Sequence, residues 1–391
     1  MSPLVPSAEH AAAVPGAEGP PIGVAVVGGG FMASVHSRAA RTARARLVGV
    51  ASSTPERAAD AAGRLGFERS YASLDDLLAD DAVDVVHVTT PNALHAAQAE
   101  AVLAAGKHVV CEKPLATTPD DAARLAALVA PGGAAAGRTA TVPFVYRYHP
   151  MVREARARVA SGEAGTVLTW HGSYLQDWLL TSADDDWRVD PASGGRSRAF
   201  ADIGSHLVDL LEFVTGDRVR HVAATRRTFV ADRAQHRGVT TEDAVAVTLE
   251  TEGGAIGTLL VSQVAPGRKN RLHLEIAGTA ESLAFDQEQP DTLWVGRRAG
   301  TTVVPRDADQ LAPDAARLVA VPAGHAQGYQ DAFDGFVADT YAAVRGARPE
   351  GLPRFADGLR AARVTEAVMD AADGGAWVTV PADTDSRGGA A

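Results

Sequence analysis

Three short motifs carry residue types that could hold a dinucleotide and move a proton and a hydride. They are the glycine loop Gly28-x-Gly30-x-x-Ala33, the segment Glu112-Lys113-Pro114 and the pair Asp202-x-x-x-His206. Lys113 can stabilise negative charge on a hydroxyl oxygen, and His206 can accept the hydroxyl proton near neutral pH. Asp202 can orient the imidazole. We therefore take Lys113, Asp202 and His206 as the candidate catalytic residues of a hydride-transfer enzyme.

The glycine loop sits where a nucleotide-binding turn belongs. An apolar run over 22–27 precedes it, and a helical pattern over 31–43 follows it. Gly28 permits the tight turn, and Gly30 lets the backbone approach a pyrophosphate that faces the helix N-terminus. This context predicts a dinucleotide site, with a purely structural turn as the alternative. The loop residues expected against the cofactor are Gly28, Gly30, Phe31 and Met32.

The second strand ends without the carboxylate that commonly binds the ribose 2′-hydroxyl of NAD. Ser52, Ser53 and Thr54 stand there instead, followed by Arg57. Small hydroxyl residues and a guanidinium would accept a 2′-phosphate, so Ser52 and Arg57 slightly favour NADP(H) over NAD(H). The alternative is that Arg57 is a solvated helix residue and that NAD binds without a carboxylate.

The next strand end places polar residues at the rim where parallel sheets bind ligands. Thr89, Pro91 and Asn92 follow the strand predicted over 83–89, and we expect them along the cofactor path. His95 lies one turn into the following helix. Cofactor contact and a capping or packing role are equal alternatives for its side chain.

The lysine and the Asp/His pair each have a structural alternative. Glu112 and Lys113 end another strand at the same rim, where both are expected near the cofactor, unless they form only a surface ion pair. Asp202 and His206 lie four residues apart in a helical pattern over 201–214, so both project from one face and can touch. The alternative is an N-cap aspartate with a histidine packed in the domain interface.

Hydrophobic patterning divides the chain into two domains. Strands and helices alternate in the first, which predicts an α/β Rossmann domain with a doubly wound parallel sheet. Beyond Pro150, strand-like runs follow one another, which predicts an α+β domain with a large, mainly antiparallel, open-faced sheet. The predicted organisation is a flexible tail at 1–20, the Rossmann domain at 21–148, the second domain at 149–381 with a C-terminal helix able to pack back on the first, and a flexible tail at 382–391.

Composition excludes several classes of function. The chain has 391 residues, 37 basic against 48 acidic, and a net charge of -11, without a basic stripe, so we expect no nucleic-acid partner. A lone cysteine, Cys111, excludes an internal disulfide and a multi-cysteine metal site, and no metal is expected. No apolar run approaches the ~20 residues of a membrane span, so a cytoplasmic protein without a membrane partner is expected.

The order of these motifs resembles one known family. The glycine loop, Glu112-Lys113-Pro114, Arg147-Tyr148-His149-Pro150, Gly194-Gly195 and the Asp202/His206 segment are similar to the Gfo/Idh/MocA oxidoreductases, the family of glucose-fructose oxidoreductase and inositol dehydrogenase. The resemblance extends over about 21–381. It implies that Lys113 touches both nicotinamide and substrate and that Asp202 and His206 supply the acid and base.

A second resemblance concerns the substrate. Tyr174, Gln176 and Trp178 are similar to a segment in the branch that includes levoglucosan dehydrogenase. In a strand these three side chains share one face, which suits a wall for a sugar; a core-facing aromatic pair is the equal alternative. The arginines expected near the substrate are Arg147, which the family motif contains, and Arg188 and Arg268, which could bind a phosphorylated or acidic sugar.

Together these features predict a nicotinamide-dependent oxidoreductase. Its expected reaction interconverts a secondary alcohol and a ketone on a sugar, anhydrosugar, glycoside or cyclic polyol. Two alternatives are an enzyme that recycles a tightly bound NAD(P) for isomerisation or elimination, and a non-catalytic nicotinamide-sensing protein. The open sheet face needs a cover, so we expect a homodimer or homotetramer formed through the C-terminal sheet.

Overall fold

The computed structural model of the chain describes residues 19–382. The segments 1–18 and 383–391 make up most of the two tails predicted to be flexible. That prediction therefore falls outside the described residues.

A six-stranded parallel sheet forms the first half of the molecule. Its strands are β1 (Gly23–Val27), β2 (Arg46–Ala51), β3 (Arg69–Ser70), β4 (Val85–Val88), β5 (His108–Cys111) and β6 (Ala140–Thr141). They are ordered β3-β2-β1-β4-β5-β6, and every neighbouring pair is parallel. This is the doubly wound order of a dinucleotide-binding sheet, which confirms the predicted Rossmann fold.

Helices cover both faces of this sheet, and their ends follow the local sequence. They are α1 (Phe31–Thr42), α2 (Pro55–Leu65), α3 (Leu74–Leu78), α4 (Asn92–Ala104) and α5 (Pro119–Val129). Thr54 caps α2 and Thr118 caps α5, each followed by a proline at the first helical position. Asn92 is not the N-cap of α4, because Pro91 occupies that position and the Asn92 amide donates to the carbonyl of Gly194 at 2.9 Å.

The connection between the halves differs from the sequence-based reading. In the sequence, the apolar run that ends near Pro150 suggests a further strand of the parallel sheet. Beyond the short strand β6 it forms a 3₁₀ turn, Val145–Tyr148, and leads directly into a helix, α6 (Pro150–Ala160). The turn and α6 bury most of their side chains.

A nine-stranded sheet forms the second half. Its strands are β7 (Val167–Leu175), β8 (Val219–Arg227), β9 (Ala244–Thr251), β10 (Ile256–Ser262), β11 (Arg271–Gly278), β12 (Ser282–Asp286), β13 (Thr292–Arg297), β14 (Gly300–Pro305) and β15 (Val378–Thr379). The order is β14-β13-β12-β11-β7-β10-β9-β8-β15, with β7 and β10 parallel and the other neighbours antiparallel. The predicted, mainly antiparallel sheet is confirmed, while β13 to β15 were not predicted.

One face of this sheet is covered by helices of the second half. These are α6 and a π-helical turn (Phe200–Gly204) that continues into α8 (Ser205–Thr215), whereas the short helix α7 (Pro191–Gly194) packs on α4 and α9 (Pro313–Ala316) packs on α6. Helix α8 approaches β7 closely, since a Cβ on Gly172 would lie 3.1 Å from a methyl carbon of Leu207. This close contact therefore sets the distance between α8 and the sheet.

Two long helices bring the chain back to the first half. They are α10 (Tyr329–Val344) and α11 (Phe355–Gly374). Helix α10 packs on α1, and its Phe333 and Phe336 join the buried cluster of Val24 and Val26. Helix α11 packs against both α5 and β8. A fully buried phenylalanine contributes roughly 1.5–3 kcal/mol, so α10 is an integral part of the nucleotide-binding half. No helix within 19–382 is long and apolar enough to cross a lipid bilayer.

Candidate active site

A cleft of about 840 Å³ opens at the carboxyl ends of the parallel strands. Every residue predicted to bind the cofactor lines it, together with Arg188 from the second half. The predicted lining residues are Gly28, Gly30, Phe31, Met32, Ser52, Arg57, Thr89, Pro91, Asn92, His95, Glu112 and Lys113. The volume and the position at the strand ends suit a dinucleotide.

The glycine loop shapes the floor of this cleft. Gly28 has φ +102°, and a Cβ there would lie 2.8 Å from the carbonyl oxygen of Thr89, so the position requires glycine. A Cβ on Gly30 would meet nothing within 4 Å, and Gly30 precedes α1 without a side-chain cap. The unpaired N–H groups of α1 are thus available to a pyrophosphate in the cleft.

The ribose end of the cleft carries a guanidinium. The Nη1 atom of Arg57 donates to the hydroxyl of Ser53 at 3.1 Å, while the backbone N–H of Arg57 donates to Thr54 at 3.3 Å. The carboxylate of Asp60 also lines this end. Both a cation and an anion therefore stand within reach of a ribose bound beyond β2.

His95 is held by the backbone. One ring nitrogen contacts the carbonyl of Pro114 at 2.7 Å and the other contacts that of Thr90 at 2.8 Å, and the residue is buried. Both nitrogens are therefore occupied. The contacts of His95 fit the packing role that was one of its two alternatives, and only a part of the side chain faces the cleft.

Lys113 joins the two halves of the molecule. Its Nζ donates to Oδ1 of Asp202 at 2.6 Å and to the backbone carbonyl of Asp202 at 2.9 Å. The Lys113 side chain is 15% exposed, so its ammonium remains accessible from the cleft. The surface ion pair with Glu112 does not form, because the Glu112 carboxylate instead accepts the backbone N–H of Lys113 at 3.0 Å.

Asp202 is held from two sides on the π-helical turn. Its Oδ2 accepts a hydrogen bond from Nε2 of Gln263 at 2.8 Å, and Nε of Arg188 lies 3.7 Å from its Oδ1. Burial raises the pKa of Asp202, but the charges of Lys113 and Arg188 outweigh it and lower the pKa to about 2. Asp202 is therefore ionised at neutral pH.

His206 is oriented by aromatic rings. It packs edge-on against Phe144, with ring centroids 5.6 Å apart, and against Tyr146, at 5.1 Å. Its Nδ1 is buried and finds no hydrogen-bond partner among the described residues. The expected hydrogen bond from Asp202 is absent within 19–382, because Lys113 and Gln263 hold that carboxylate.

The charge state of His206 suits a base. Burial, and secondly the ammonium of Lys113, lower the pKa of His206 to about 3. The imidazole is therefore neutral at physiological pH and can accept a proton. Asp202, whose carboxylate binds the Lys113 ammonium, lies four residues before His206, so the imidazole follows the partner of the lysine by one helical turn.

The three residues predicted to form a sugar wall are connected in a different geometry, and Tyr174 is buried in the core of the second half. Strand β7 ends at Leu175, so Gln176 and Trp178 lie beyond it and do not share a strand face with Tyr174. Hydrogen bonds connect them instead: Tyr174 and Gln176 both donate to Oδ1 of Asn270 at 2.8 Å, and the Trp178 indole donates to Gln176 at 2.8 Å. The Tyr174 hydroxyl also contacts that of Tyr146.

Two of the predicted substrate arginines lie elsewhere. Arg147 is buried and pairs with Asp209 and Asp357, where desolvation is compensated by two carboxylates, so it cannot reach a substrate. Arg268 is half-exposed, with Nη1 3.5 Å from Glu288 at the surface. Only Arg188 of the three lines the cleft.

Sequence reasoning missed three polar contacts of this site. Gln263 directly follows β10, Asn270 directly precedes β11, and Tyr146 lies in the 3₁₀ turn. A polar residue directly after an apolar strand was a usable signal for Gln263. The contacts of Tyr146 and Asn270 depend on tertiary packing and left no local signal.

Fold and site together define a class of protein. A dinucleotide cleft lined by a lysine, with a carboxylate that binds this lysine and a neutral imidazole four residues further along the chain, is the arrangement of a two-domain, NAD-binding oxidoreductase. Comparison with known proteins identifies the family. Residues 22–136 match the oxidoreductase family with an NAD-binding Rossmann fold, and residues 152–284 match the GFO/IDH/MocA C-terminal domain. The chain belongs to the GFO/IDH/MocA family, which includes sugar and polyol dehydrogenases.

Several relatives match over nearly their full length. The chain is 32% identical to levoglucosan dehydrogenase of Pseudarthrobacter phenanthrenivorans, covering 92% of this chain and 98% of that protein. A structure of levoglucosan dehydrogenase with NADH and levoglucosan has a TM-score of 0.85 at 30% identity, covering 93% of this chain and 100% of the other. A structure of an Azotobacter vinelandii inositol dehydrogenase homologue with NADH and myo-inositol has a TM-score of 0.82 at 28% identity, covering 92% and 97%.

Proposed function

We propose that the protein oxidises a secondary hydroxyl of a sugar, anhydrosugar, glycoside or cyclic polyol by hydride transfer to a nicotinamide nucleotide. The observation that carries this proposal is the Lys113 ammonium in the dinucleotide cleft, hydrogen-bonded to Asp202, which lies one helical turn before the buried His206 imidazole. Relatives named for levoglucosan and myo-inositol support the substrate class.

The residues of the chain handle the proton. Lys113 donates to the substrate hydroxyl oxygen and stabilises the negative charge that develops there. His206, neutral at working pH, accepts the hydroxyl proton, and in the reverse direction it returns that proton to the ketone oxygen. Asp202 holds the ammonium in place through two hydrogen bonds. A nicotinamide bound in the cleft would supply the acceptor for the hydride of the carbon that bears this hydroxyl.

A hydrogen-bonded wall favours a polyhydroxylated substrate. Tyr174, Gln176 and Asn270 form a connected set of donors and acceptors, and Trp178 adds an apolar face. Arg188 brings a cation to the same side of the cleft. Sugars present both hydroxyl groups and C–H faces, and this combination of polar and aromatic groups complements them.

The test is a panel of sugars and cyclitols assayed with NAD and with NADP, read by the absorbance of the reduced nucleotide. Turnover of at least one sugar or polyol is expected, and Lys113→Met should reduce it sharply. Nucleotide binding without turnover of any panel member would overturn the proposal in favour of a sensing protein. Nucleotide that stays bound through dialysis would instead identify a recycling enzyme.

We further propose that NAD(H) is accepted and that Arg57 decides access for NADP(H). The slight NADP(H) preference expected from Ser52 and Arg57 rests on those residues alone, since the cited relatives with bound nucleotide carry NADH. Arg57 is anchored by Ser53 beside the ribose end of the cleft. A guanidinium there would pair with a 2′-phosphate while leaving a 2′-hydroxyl unaffected.

We propose that the outer face of the nine-stranded sheet joins two copies of the chain in a homodimer. Residues paired across neighbouring strands share one face, and a single row joins strands β10, β7, β11, β12, β13 and β14. That row is Thr258, His171, Glu275, Ala284, Trp294 and Val303. On the same face Ile256 and Leu260 are exposed, as are Trp294 and Val303. Light scattering should give a dimer that Leu260→Glu dissociates, and a monomeric wild type would contradict this.

A further inference from the structure

A chain of buried side chains lies behind Lys113, outside the residues that could touch a substrate. The hydroxyl of Tyr341 on α10 contacts Nε2 of His87 on β4 at 2.9 Å, and Nδ1 of His87 contacts Nδ1 of His36 on α1 at 2.8 Å. Nε2 of His36 then contacts Oε1 of Glu112 at 2.9 Å. All four residues are buried, so this is a polar chain inside an apolar core.

The protons along this chain can be assigned. The hydrogen bond and charge of His36 outweigh the effect of burial and lower the pKa of Glu112, which is therefore a carboxylate and only accepts. His36 must then carry a proton on Nε2 and donate it to Glu112. Burial, and secondly His36, lower the pKa of His87, which is therefore neutral. One proton lies between the two Nδ1 atoms of His87 and His36, and this hydrogen bond fixes the orientation of both rings.

Glu112 connects this hydrogen-bonded chain to the backbone of Lys113. Its first oxygen accepts from His36, and its second oxygen accepts from the N–H of Lys113 at 3.0 Å. The far end of the lysine is held by Asp202 at 2.6 Å. The Lys113 side chain is thus stretched between two fixed points, one of which depends on a histidine in α1, the helix at the nucleotide cleft.

We propose that His36 is a positioning residue for Lys113, acting through the Glu112 carboxylate. This inference rests on the proposed function, because Lys113 is the group that touches the hydroxyl. His36 itself is buried and does not line the cleft. If Glu112 loses its donor, its carboxylate turns, the Lys113 backbone shifts and the ammonium leaves its productive position.

Two polar substitutions separate positioning from mere stability. Glutamine places its amide near the position of the histidine Nε2, so His36→Gln keeps a donor for Glu112. Asparagine places its amide near Nδ1, so His36→Asn keeps a partner for His87 and loses Glu112. Displacement of a catalytic group by about 1 Å costs about 100-fold, so we expect kcat of His36→Asn to fall about 10–100-fold and kcat of His36→Gln to stay near the wild-type value.

Tyr341→Phe is the matched control, because it removes a hydrogen bond at the far end of the same chain. It should lower the melting temperature as much as His36→Asn does and leave kcat unchanged. Equal kcat values for the two His36 variants, whether high or low, would overturn the proposal, and so would a parallel loss of kcat in Tyr341→Phe.

A second readout does not depend on turnover. In a crystal structure of nucleotide-free His36→Asn, the Glu112 carboxylate should no longer accept the Lys113 N–H, whereas in His36→Gln it should. An unchanged contact in both variants would overturn the inference. A wild type that turns over no sugar would refute the proposed function and leave this structural test intact.

Discussion

The role of His206 can be tested by removing its imidazole. In His206→Ala the site loses its proposed proton acceptor, while Lys113 keeps both hydrogen bonds to Asp202. A positioned general base contributes about 10²–10⁴-fold, which corresponds to about 3–5 kcal/mol of activation free energy. We expect kcat to fall by this factor with the best sugar of the panel.

Nucleotide affinity should be unaffected in the same variant. His206 does not line the dinucleotide cleft, whereas Trp187 does, so quenching of the protein fluorescence by NADH reports binding. His149 provides a control: it is also buried, its ring is stacked on Tyr146, and burial lowers its pKa to about 4. His149→Ala removes an equivalent neutral ring that Lys113 does not influence.

The reasoning fails if His206→Ala keeps wild-type kcat, since another group must then accept the proton. It also fails if His149→Ala loses as much activity, because the effect would then come from packing around Tyr146. Weakened NADH binding in His206→Ala would place the imidazole in the nucleotide site, contrary to the structure.

Three further substitutions test other parts of the site. Burial and, secondly, the Lys113 ammonium lower the pKa of His206 to about 3, so Lys113→Met should raise that pKa and move the acid limb of residual kcat/KM to higher pH; an unmoved limb would contradict the assignment. Gln263→Leu leaves Oδ2 of Asp202 unpaired and should lower the free energy of unfolding in urea by about 1–3 kcal/mol, and an unchanged midpoint would refute that. Arg57→Ala should weaken NADP(H) binding about 10–100-fold and spare NAD(H), and equal losses would remove Arg57 as the discriminator.

The nucleotide-binding half was predictable because its signals are local. Thr54 and Thr118 precede prolines at helix starts, Gly66 closes α2 in the left-handed conformation, and Gly28 takes the turn that only glycine tolerates. Strand periodicity and turn chemistry decide these positions within a few residues of chain. The same holds for β9, where buried and exposed residues alternate.

The errors come from positions that distant residues decide. Arg147 lies in a family motif, but its partners are Asp209 and Asp357, and only folding brings these three charges together. The four-residue spacing of Asp202 and His206 implied direct contact. Lys113 and Gln263, from other strands, occupy that carboxylate instead. The periodicity of a sequence does not show which donors will bind the Asp202 carboxylate.

Helix α6 was not predicted for the same reason, since its contacts are with residues distant in the sequence. The segment after Pro150 carries charged residues that a sequence pattern assigns to a surface, yet Arg153 is fully buried beneath Tyr148 and Phe213. Its guanidinium bonds to Asp314, to the carbonyl of Arg147 and to that of Glu350. A helix whose arginine is satisfied by remote partners does not show an amphipathic pattern.

The late position of α10 in the chain has a consequence for biosynthesis. Strand β1 contributes Val24 and Val26 to an apolar surface that Phe333 and Phe336 cover. These aromatic residues are translated long after the parallel sheet leaves the ribosome, a delay of roughly 10–40 s at about 5–20 residues per second. During that interval the nascent chain exposes this apolar surface, so the yield of folded protein should depend on chaperones that bind emerging polypeptides. Truncation before Tyr329 should leave an insoluble product.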